Sequence, residues 1–355
     1  MRPDIWRGRR VLVTGHTGFK GSWLTRVLAK REAEIFGLSL DPPTNPNLFS
    51  QIDHQLRADT RLDVRDLTKV EEAFRTTQPE IVLHLAAQAL VRHSYAEPVE
   101  TFATNVMGTL NVLEAARRCP SVRAVLIVTT DKVYENDGQG RPFAEAHALG
   151  GHDPYSASKA AAEIVTHSYR ASFLAKQGIL VASARAGNVI GGGDYALDRL
   201  LPDLIRAFEA GQVARIRNPN ATRPFQHVLD PVYAYVALAE RLLGGDASVA
   251  QAYNFGPPPA EVLEVRQVAA GAVRAWGSDA TWTSDPGPHP AEAPALALDP
   301  SKAERELGVR SIFGSLEAVE RTVAFHRALR AGESAGQLMD EEIAEAERRL
   351  SARAR

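Results

Sequence analysis

The chain has 355 residues, of which 45% are apolar and 24% are charged, and its formal net charge is −2. This near-neutral charge argues against a bulk nucleic-acid binder, the single Cys119 excludes an intramolecular disulfide, and no stretch approaches the ~20 apolar residues of a membrane span. We therefore expect a cytoplasmic globular protein with one large domain or two closely packed ones.

The first half of the chain alternates strand-like and helix-like segments. Apolar, β-branched runs predict strands at 10–15, 34–40, 80–87, 124–130 and 179–189. Helical spacing predicts helices at 22–32, 66–78, 98–118 and 155–177. Continuous apolar strands that alternate with helices indicate a parallel sheet covered on both faces, so we predict a doubly wound α/β fold.

Beyond residue 188 the chain becomes richer in glycine, proline and basic residues. We predict a dinucleotide-binding Rossmann domain formed by residues 1–188 with 226–256, and a smaller substrate lobe formed by 189–225 with 257–332. The proline-rich stretch 277–300 is expected on the surface. Residues 333–355 predict a charged helical tail, either solvated or used in self-association. The ten histidines show no H-x-H or H-E-x-x-H spacing, so we expect no metal site.

The junction of the first strand and first helix carries three glycines, in the stretch VTGHTGFKG. Glycines let a backbone approach a pyrophosphate closely, and a helix N-terminus supplies free N–H groups. The spacing G-x-x-G-x-x-G differs from the commoner G-x-G-x-x-G, and a plain turn is the alternative interpretation. Because the loop joins a strand to a helix, we predict a cofactor loop that includes Gly15, Thr17, Gly18, Phe19, Lys20 and Gly21.

Asp41 ends the second predicted strand, 20 residues after Gly21. A carboxylate there accepts hydrogen bonds from an adenosine ribose and repels a 2′-phosphate, so we predict NAD rather than NADP as the cofactor. The alternative is that Asp41 only opens the turn that follows. We also expect Asp63 and Val64 to flank the adenine. Leu85, Ala86 and Ala87 are expected to line the path of the flat cofactor.

The stretch YSASK places Tyr155 and Lys159 one helical turn apart on one face. A nearby ammonium favours a phenolate and lowers the pKa of a tyrosine from about 10. Such a tyrosine can take a proton from a substrate hydroxyl while hydride leaves for the nicotinamide. The spacing also occurs by chance, but the glycine loop and the strand-end pair Thr129 and Thr130 favour the catalytic interpretation.

Four stretches together resemble the extended short-chain dehydrogenase/reductase family that acts on nucleotide sugars: TGHTGFKG, HLAAQ, YSASK and RAGNVIGGGD. Other stretches most resemble the CDP-glucose 4,6-dehydratase branch, among them DPPTNPNLF, TTDKVYEN, RNPNATRPFQHVLDP and LALDPSKAERELG. The dTDP branch carries Asp-Glu where this chain has Asp131 and Lys132. The resemblance implies a NAD-dependent lyase that converts CDP-glucose to CDP-4-keto-6-deoxyglucose and water. It also implies a homodimer, or a tetramer, built on the helices 98–118 and 155–177.

On this resemblance, the catalytic residues are Thr130, Asp131, Lys132, Tyr155 and Lys159. Asp131 would protonate the departing 6-hydroxyl and Lys132, if neutral, would remove the C5 proton. A charged Lys132 would instead stabilise the enolate. The alternative is that Asp131 and Lys132 only neutralise each other at a solvated strand end.

Substrate contacts are also implied by the resemblance. Asn188 is expected to offer its amide to the diphosphate, and Arg199, Arg215 and Arg223 are candidates for bidentate phosphate contacts. Any of these arginines could be a surface charge, as could Arg217. His93 is expected to line the sugar pocket, while Asn105 is expected to brace strand and helix backbones.

Two competing functions remain open. A nucleotide-sugar 4-epimerase or reductase of the same family needs only threonine, tyrosine and lysine, so Asp131 disfavours it. A non-catalytic dinucleotide sensor would be expected to lack Tyr155 or Lys159, and both are present.

Overall fold

The computed structural model describes residues 3–277, 279–285, 287 and 295–353. Its strands, in chain order, are β1 (Arg10–Thr14), β2 (Glu34–Ser39), β3 (Ala58–Arg61), β4 (Ile81–His84), β5 (Ala124–Val128), β6 (Leu180–Ala186), β7 (Val189–Ile190), β8 (Ala214–Ile216), β9 (Thr222–Arg223), β10 (Gln226–His227), β11 (Ala252–Phe255), β12 (Leu263–Glu264) and β13 (Trp282–Ser284). The α-helices are α1 (Phe19–Ala29), α2 (Leu67–Thr77), α3 (Val91–Ala96), α4 (Pro98–Phe102), α5 (Gly108–Arg118), α6 (Pro154–Tyr169), α7 (Leu200–Glu209), α8 (Leu229–Leu243), α9 (Val265–Trp276), α10 (Ser301–Leu307), α11 (Ser315–Arg330) and α12 (Ala335–Arg353).

Seven of the strands form one parallel sheet with the order β11-β6-β5-β4-β1-β2-β3. All five residues of β5 are buried, as expected for a strand covered by helices on both faces. The strand order runs outward in both directions from the neighbours β1 and β4, which is the arrangement of a doubly wound sheet. The predicted fold class is therefore confirmed, and the crevice between β1 and β4 is the expected ligand position.

Two hydrophobic clusters cover the faces of this sheet. On one face, Trp23, Leu24, Val27 and Leu28 of α1 are completely buried in a cluster that also includes α8. On the other face, Val70 and Phe74 of α2 pack in a cluster with α5. Burial of each such large side chain contributes roughly 1.5–3 kcal/mol to the free energy of folding, so the helices on both faces stabilise the sheet.

The long helices that carry the family motifs are interrupted by π-helical turns. The predicted helix 98–118 consists of α4, the π-helix Ala103–Met107 and α5, while α6 continues into the π-helix Arg170–Leu174. Asn105 lies in the first of these turns and braces the loop after β4. Its side chain accepts a hydrogen bond from the Gln88 N–H at 2.9 Å and donates one to the Ser158 hydroxyl at 2.9 Å.

A third hydrophobic cluster forms the smaller lobe, with buried residues from α7, α9 and α11. Two short sheets, β8 with β13 and β9 with β12, lie in this part of the chain. Most of the proline-rich stretch between 286 and 294 lies outside the described residues. None of the helices in the described residues combines the length and apolar character that crossing a membrane requires.

The last helix, α12, is not a solvated tail. Met339 and Ile343 are completely buried in the same cluster as α1. Asp340 pairs with Arg26 at 2.6 Å, an ion pair that joins α12 to α1. The expectation of a separate charged tail over 333–355 is therefore wrong, because one face of this helix is apolar and completes the core beside the sheet.

Candidate active site

The glycine loop lies at the carboxyl end of β1, where doubly wound sheets bind ligands. Gly15 has φ +73°, and a Cβ added there would come within 2.7 Å of the Ala86 backbone nitrogen. A Cβ on Gly21 would lie 2.1 Å from the Gly15 carbonyl oxygen. At Gly18, which caps α1, a Cβ would meet only the Gly15 carbonyl oxygen, at 3.4 Å. Gly15 and Gly21 are thus explained by internal packing, while Gly18 leaves room for a pyrophosphate beside the unpaired first N–H groups of α1.

The other predicted residues of this loop point in two directions. The Thr17 hydroxyl is buried and bonds the Ser39 hydroxyl at 2.8 Å and the Leu40 carbonyl at 3.0 Å, so it ties the loop to the end of β2. Phe19 and Lys20 instead line a cavity beside the sheet. Burial, together with the positive charges of Lys159 and Arg199, lowers the pKa of Lys20 to about 7.

Asp41 lies two residues beyond β2, and its side chain is 90% exposed. Its Oδ1 atom is 3.8 Å from Nε of Arg61, the last residue of β3. The carboxylate is therefore free to accept hydrogen bonds from a ribose. Arg61 is a cation beside the same position, which the sequence analysis did not anticipate.

The residues predicted beside the adenine and the passing cofactor are brought to the same edge of the sheet. Asp63 pairs with Arg65 at 2.5 Å, and this hydrogen-bonded partner lowers the pKa of Asp63. Val64 is buried and contacts Gly108 of α5. The backbone N–H groups of Leu85 and Ala86 donate to the Thr14 hydroxyl at 3.2 Å, which fixes the loop containing Ala87 next to the glycine loop.

The end of β5 presents Thr130, Asp131 and Lys132 to the cavity. The Asp131 carboxylate is 1% exposed, accepts a hydrogen bond from the Thr130 hydroxyl at 2.9 Å and lies 3.5 Å from the Lys132 ammonium. Its second oxygen, Oδ2, is buried and has no hydrogen-bond partner within the described part of the chain. The pair is thus not at a solvated strand end, and Asp131 keeps one oxygen available for a proton-bearing ligand group.

Tyr155 and Lys159 stand on one face of α6 as predicted, and both are buried. Burial raises the pKa of Tyr155 to about 12, although a hydrogen bond with Thr130 works in the opposite direction. Burial lowers the pKa of Lys159 to about 8, and its ammonium donates to the Val128 carbonyl at 3.2 Å. The prediction that neighbouring groups lower the pKa of Tyr155 below its usual value is therefore wrong. Burial of the phenol raises this pKa by more than the neighbouring protein groups lower it.

The cavity has a volume of about 290 Å³ and lies between the sheet edge and the smaller lobe. Its lining includes ten residues predicted from the sequence: Phe19, Lys20, Thr130, Asp131, Lys132, Tyr155, Asn188, Arg199, Arg215 and Arg223. A larger cavity of about 1150 Å³ lies beside α8 and α10 and contains none of the predicted residues. We take the smaller cavity as the candidate site, because the titratable groups of the motifs converge there.

The arginines of the cavity differ in their partners. Arg199 pairs with Asp194 at 2.9 Å, and the charge of Asp194 raises the pKa of Arg199. Arg223 is buried and donates to the Thr222 carbonyl at 2.8 Å. Arg215, on β8, is exposed. A ligand diphosphate that reached Arg199 would therefore meet a guanidinium already paired with Asp194.

His93 does not line the cavity. Its ring is 43% exposed and lies 3.3 Å from Glu100, on the outer side of the short helix α3. Arg92 lines the cavity instead and pairs at 2.8 Å with Asp198, which also lies 3.6 Å from Arg217. Successive helix residues point about 100° apart, so the expectation for His93 is wrong by one position. Arg92, the cation directly before His93 in the stretch LVRHSY, was the available signal.

Comparisons with known proteins agree with this geometry. The model of the NAD dependent epimerase/dehydratase family matches residues 11–256. The CDP-glucose 4,6-dehydratase of Salmonella typhimurium is 44% identical over 336 residues, which cover 93% of this chain and 94% of that protein. The UDP-glucose 4-epimerase of Mycolicibacterium smegmatis is 29% identical over 90% of this chain and 98% of that one.

Solved structures show the same fold. The UDP-glucose 4-epimerase of Thermus thermophilus in complex with NAD has a TM-score of 0.78 at 29% identity, covering 90% of this chain and 99% of that chain. A dTDP-glucose 4,6-dehydratase double mutant of Streptomyces venezuelae, with NAD bound, has a TM-score of 0.78 at 25% identity, covering 91% and 98%. With the family model spanning the sheet, the glycine loop and the Tyr-Lys helix, the chain belongs to the NAD dependent epimerase/dehydratase family.

Proposed function

We propose that this protein is a NAD-dependent lyase that converts CDP-glucose to CDP-4-keto-6-deoxyglucose and water. The observation that carries the proposal is the pair Asp131 and Lys132, which faces the same cavity as Tyr155. An epimerase or reductase needs no acid–base pair beyond the tyrosine. The 44% identity to a CDP-glucose 4,6-dehydratase over nearly the whole chain supports both the reaction and the cytidine base.

The first chemical task is removal of the proton from the 4-hydroxyl of the glucose. Tyr155 is the base, and it shares a hydrogen bond with Thr130 that can pass to the substrate oxygen. The charge of Arg199 works against the burial that raises the pKa of Tyr155. Bound NAD supplies a positively charged ring that favours the phenolate further, accepts hydride from C4 and returns it to C6 at the end.

The second task is the loss of water between C5 and C6. Once C4 is a ketone, the C5 proton becomes acidic because the resulting carbanion is an enolate. Lys132 removes this proton or, as a cation, stabilises the enolate while another base removes the proton, and Asp131 protonates the departing 6-hydroxyl. The water that leaves is the 6-hydroxyl with the proton of Asp131, whereas the C5 proton stays on its base and returns to C5 when hydride returns to C6. The proton that Tyr155 took from the 4-hydroxyl restores Asp131. Among the described residues the Oδ2 atom of Asp131 has no hydrogen-bond partner, which suits it to this transfer.

The substrate diphosphate carries negative charge that the cavity can match. Arg215 and Arg223 line the cavity, and Arg92 and Arg217 add two guanidinium groups held by Asp198. We assign the diphosphate to this arginine group, with the Asn188 amide as a further donor. The sugar then extends from the lobe toward Asp131 and Tyr155.

The protein is proposed to be a cytoplasmic homodimer, or a dimer of dimers. Large apolar side chains are exposed on the helices of one face, namely Val99, Phe102, Met107, Ile164 and Phe173. Apolar side chains grouped on neighbouring helices suit a subunit interface. The free thiol of Cys119 is buried, which fits a reducing compartment.

The deciding experiment compares CDP-, UDP-, dTDP- and GDP-glucose as substrates with added NAD. A 4-keto-6-deoxy sugar develops a characteristic absorbance in alkali, and we expect it with CDP-glucose. Turnover of another nucleotide sugar while CDP-glucose stays inert would reassign the base. Interconversion of glucose and galactose at C4, with no keto product, would instead support a 4-epimerase.

A further inference from the structure

Glu163 has no place in the mechanism above, yet it is one of the most tightly bonded side chains in the protein. It lies on α6, one turn after Lys159, and only 4% of the residue is exposed. Its carboxylate accepts hydrogen bonds from the Thr129 hydroxyl at 2.5 Å, the Ser183 hydroxyl at 2.7 Å and the Arg185 guanidinium at 2.8 Å. A buried carboxylate with three donors is fixed in one position.

Arg185, on β6, completes the network. Besides Glu163, its guanidinium donates to the Tyr134 hydroxyl at 2.8 Å and lies 5.1 Å from the centre of the Tyr134 ring. Burial works against the charge of Glu163, but Arg185 and the hydroxyl donors outweigh burial and lower the pKa of Glu163. The carboxylate is therefore ionised at neutral pH.

The neighbour that this negative charge affects is Lys159. Burial lowers the pKa of Lys159 to about 8, and the charge of Glu163 is what works against that lowering. Two titratable groups face Lys159 from other elements, Lys20 on α1 and His84 on β4. Burial lowers the pKa of His84 to about 3, so it is neutral, and a protonated Lys20 would only repel Lys159 further.

We propose that Glu163 is a positioning residue whose fixed carboxylate keeps the buried Lys159 protonated during the reaction. The proposal rests on the proposed dehydratase activity in one respect, namely that Lys159 works as a cation beside Tyr155. Without Glu163, Lys159 would lose its proton at a lower pH, and the enzyme would lose activity on the alkaline side.

Two variants separate this role from a merely structural one. Glu163→Gln removes the negative charge beside Lys159, whereas Tyr134→Phe removes a hydrogen bond of the same buried network and keeps the ion pair between Glu163 and Arg185. Breaking such a pair from one side can unfold a protein, whereas replacing both partners is often tolerated. The double variant Glu163→Gln/Arg185→Met therefore serves as the folded form without the carboxylate, should the single variant not fold.

The charge of Lys159 can be read directly by NMR titration of ¹³C-labelled lysine side chains. The chain has seven lysines, so the signals can be assigned by substitution: Lys20, Lys30, Lys69, Lys132, Lys159, Lys176 and Lys302. We expect the titration of Lys159 to move to lower pH in both variants that lack Glu163, and not in Tyr134→Phe. An unchanged titration of Lys159 without Glu163, or an equal shift in Tyr134→Phe, would overturn the proposal.

Turnover of CDP-glucose gives the second measurement. The alkaline limb of the pH profile should move to lower pH in the variants without Glu163, and each unit of movement lowers turnover about tenfold at a pH above both limbs. Tyr134→Phe should keep the position of the limb even if its maximum falls. The NMR titration needs no turnover, so failure of CDP-glucose as a substrate would refute the proposed function while leaving the charge of Lys159 measurable.

Discussion

Replacing Lys132 by methionine should separate the oxidation of the sugar from the loss of water. Lys132 faces the cavity beside Asp131, whereas the proton of the 4-hydroxyl is assigned to Tyr155 on another element. The variant should therefore still oxidise C4 but lose the group that removes the C5 proton or stabilises the enolate. After CDP-glucose is added, the variant should therefore stop before the loss of water, with its cofactor in the form of NADH.

Lys132→Met should slow the elimination step strongly and destabilise the fold only slightly. General acid–base groups contribute about 100- to 10,000-fold, so the elimination barrier should rise by roughly 2.7 to 5.4 kcal/mol. The fold should survive, because the Lys132 side chain is 26% exposed and its ammonium makes a long contact, 3.5 Å, with Asp131. Asp131 also keeps its hydrogen bond from Thr130 at 2.9 Å.

The assay is stopped-flow absorbance of NADH together with exchange of the C5 hydrogen in deuterated water. NADH should accumulate in Lys132→Met, and C5 exchange should disappear if the ammonium's conjugate base is the proton acceptor. Retained exchange with slow elimination would assign Lys132 to the enolate instead. Lys69→Met, at an exposed lysine on α2 paired with Asp66, is the matched control and should turn over normally. Normal turnover of Lys132→Met would mean that Asp131 and Lys132 only neutralise each other's charge.

Three further outcomes follow from the site. Tyr155→Phe keeps the buried ring and should still bind NAD and CDP-glucose, but it should form NADH about 100- to 10,000-fold more slowly in a single turnover. An undiminished rate of NADH formation would show that Tyr155 is not the base. Asp41→Ala should raise the use of NADP relative to NAD, because the Arg61 cation remains beside the position of the 2′-phosphate. The double variant Asp41→Ala/Arg61→Ala should lose this gain. Equal use of both cofactors by the unaltered protein would contradict the role of Asp41. Val99→Asp should convert the proposed dimer to monomers in light scattering, whereas Val213→Asp, also exposed, should not; an unchanged assembly in Val99→Asp would contradict the proposed interface.

The sheet was predictable because its strands are short apolar runs separated by amphipathic helices. The glycine loop, Asp131 and Tyr155 were predictable because they follow such strands or share a helical face. His93 was misplaced because α3 has only six residues, too few for periodicity to fix which side chain faces the cavity. The pKa of Tyr155 depends on burial among residues distant in the chain, which spacing within one helix does not report. Arg185, a charge inside an otherwise apolar strand, was the available sign of a buried ion pair.

The position of α12 has a consequence for how the chain is made. The helix α1 is synthesised long before α12, but Trp23 and Leu24 pack in a cluster with residues from α12. Contacts between such distant segments form slowly because a long loop must close. The apolar face of α1 behind the glycine loop therefore stays incompletely covered until α12 has been synthesised. Removing α12 would leave that surface exposed for the life of the protein, so a nonsense mutation near residue 334 should yield aggregates rather than a shorter enzyme.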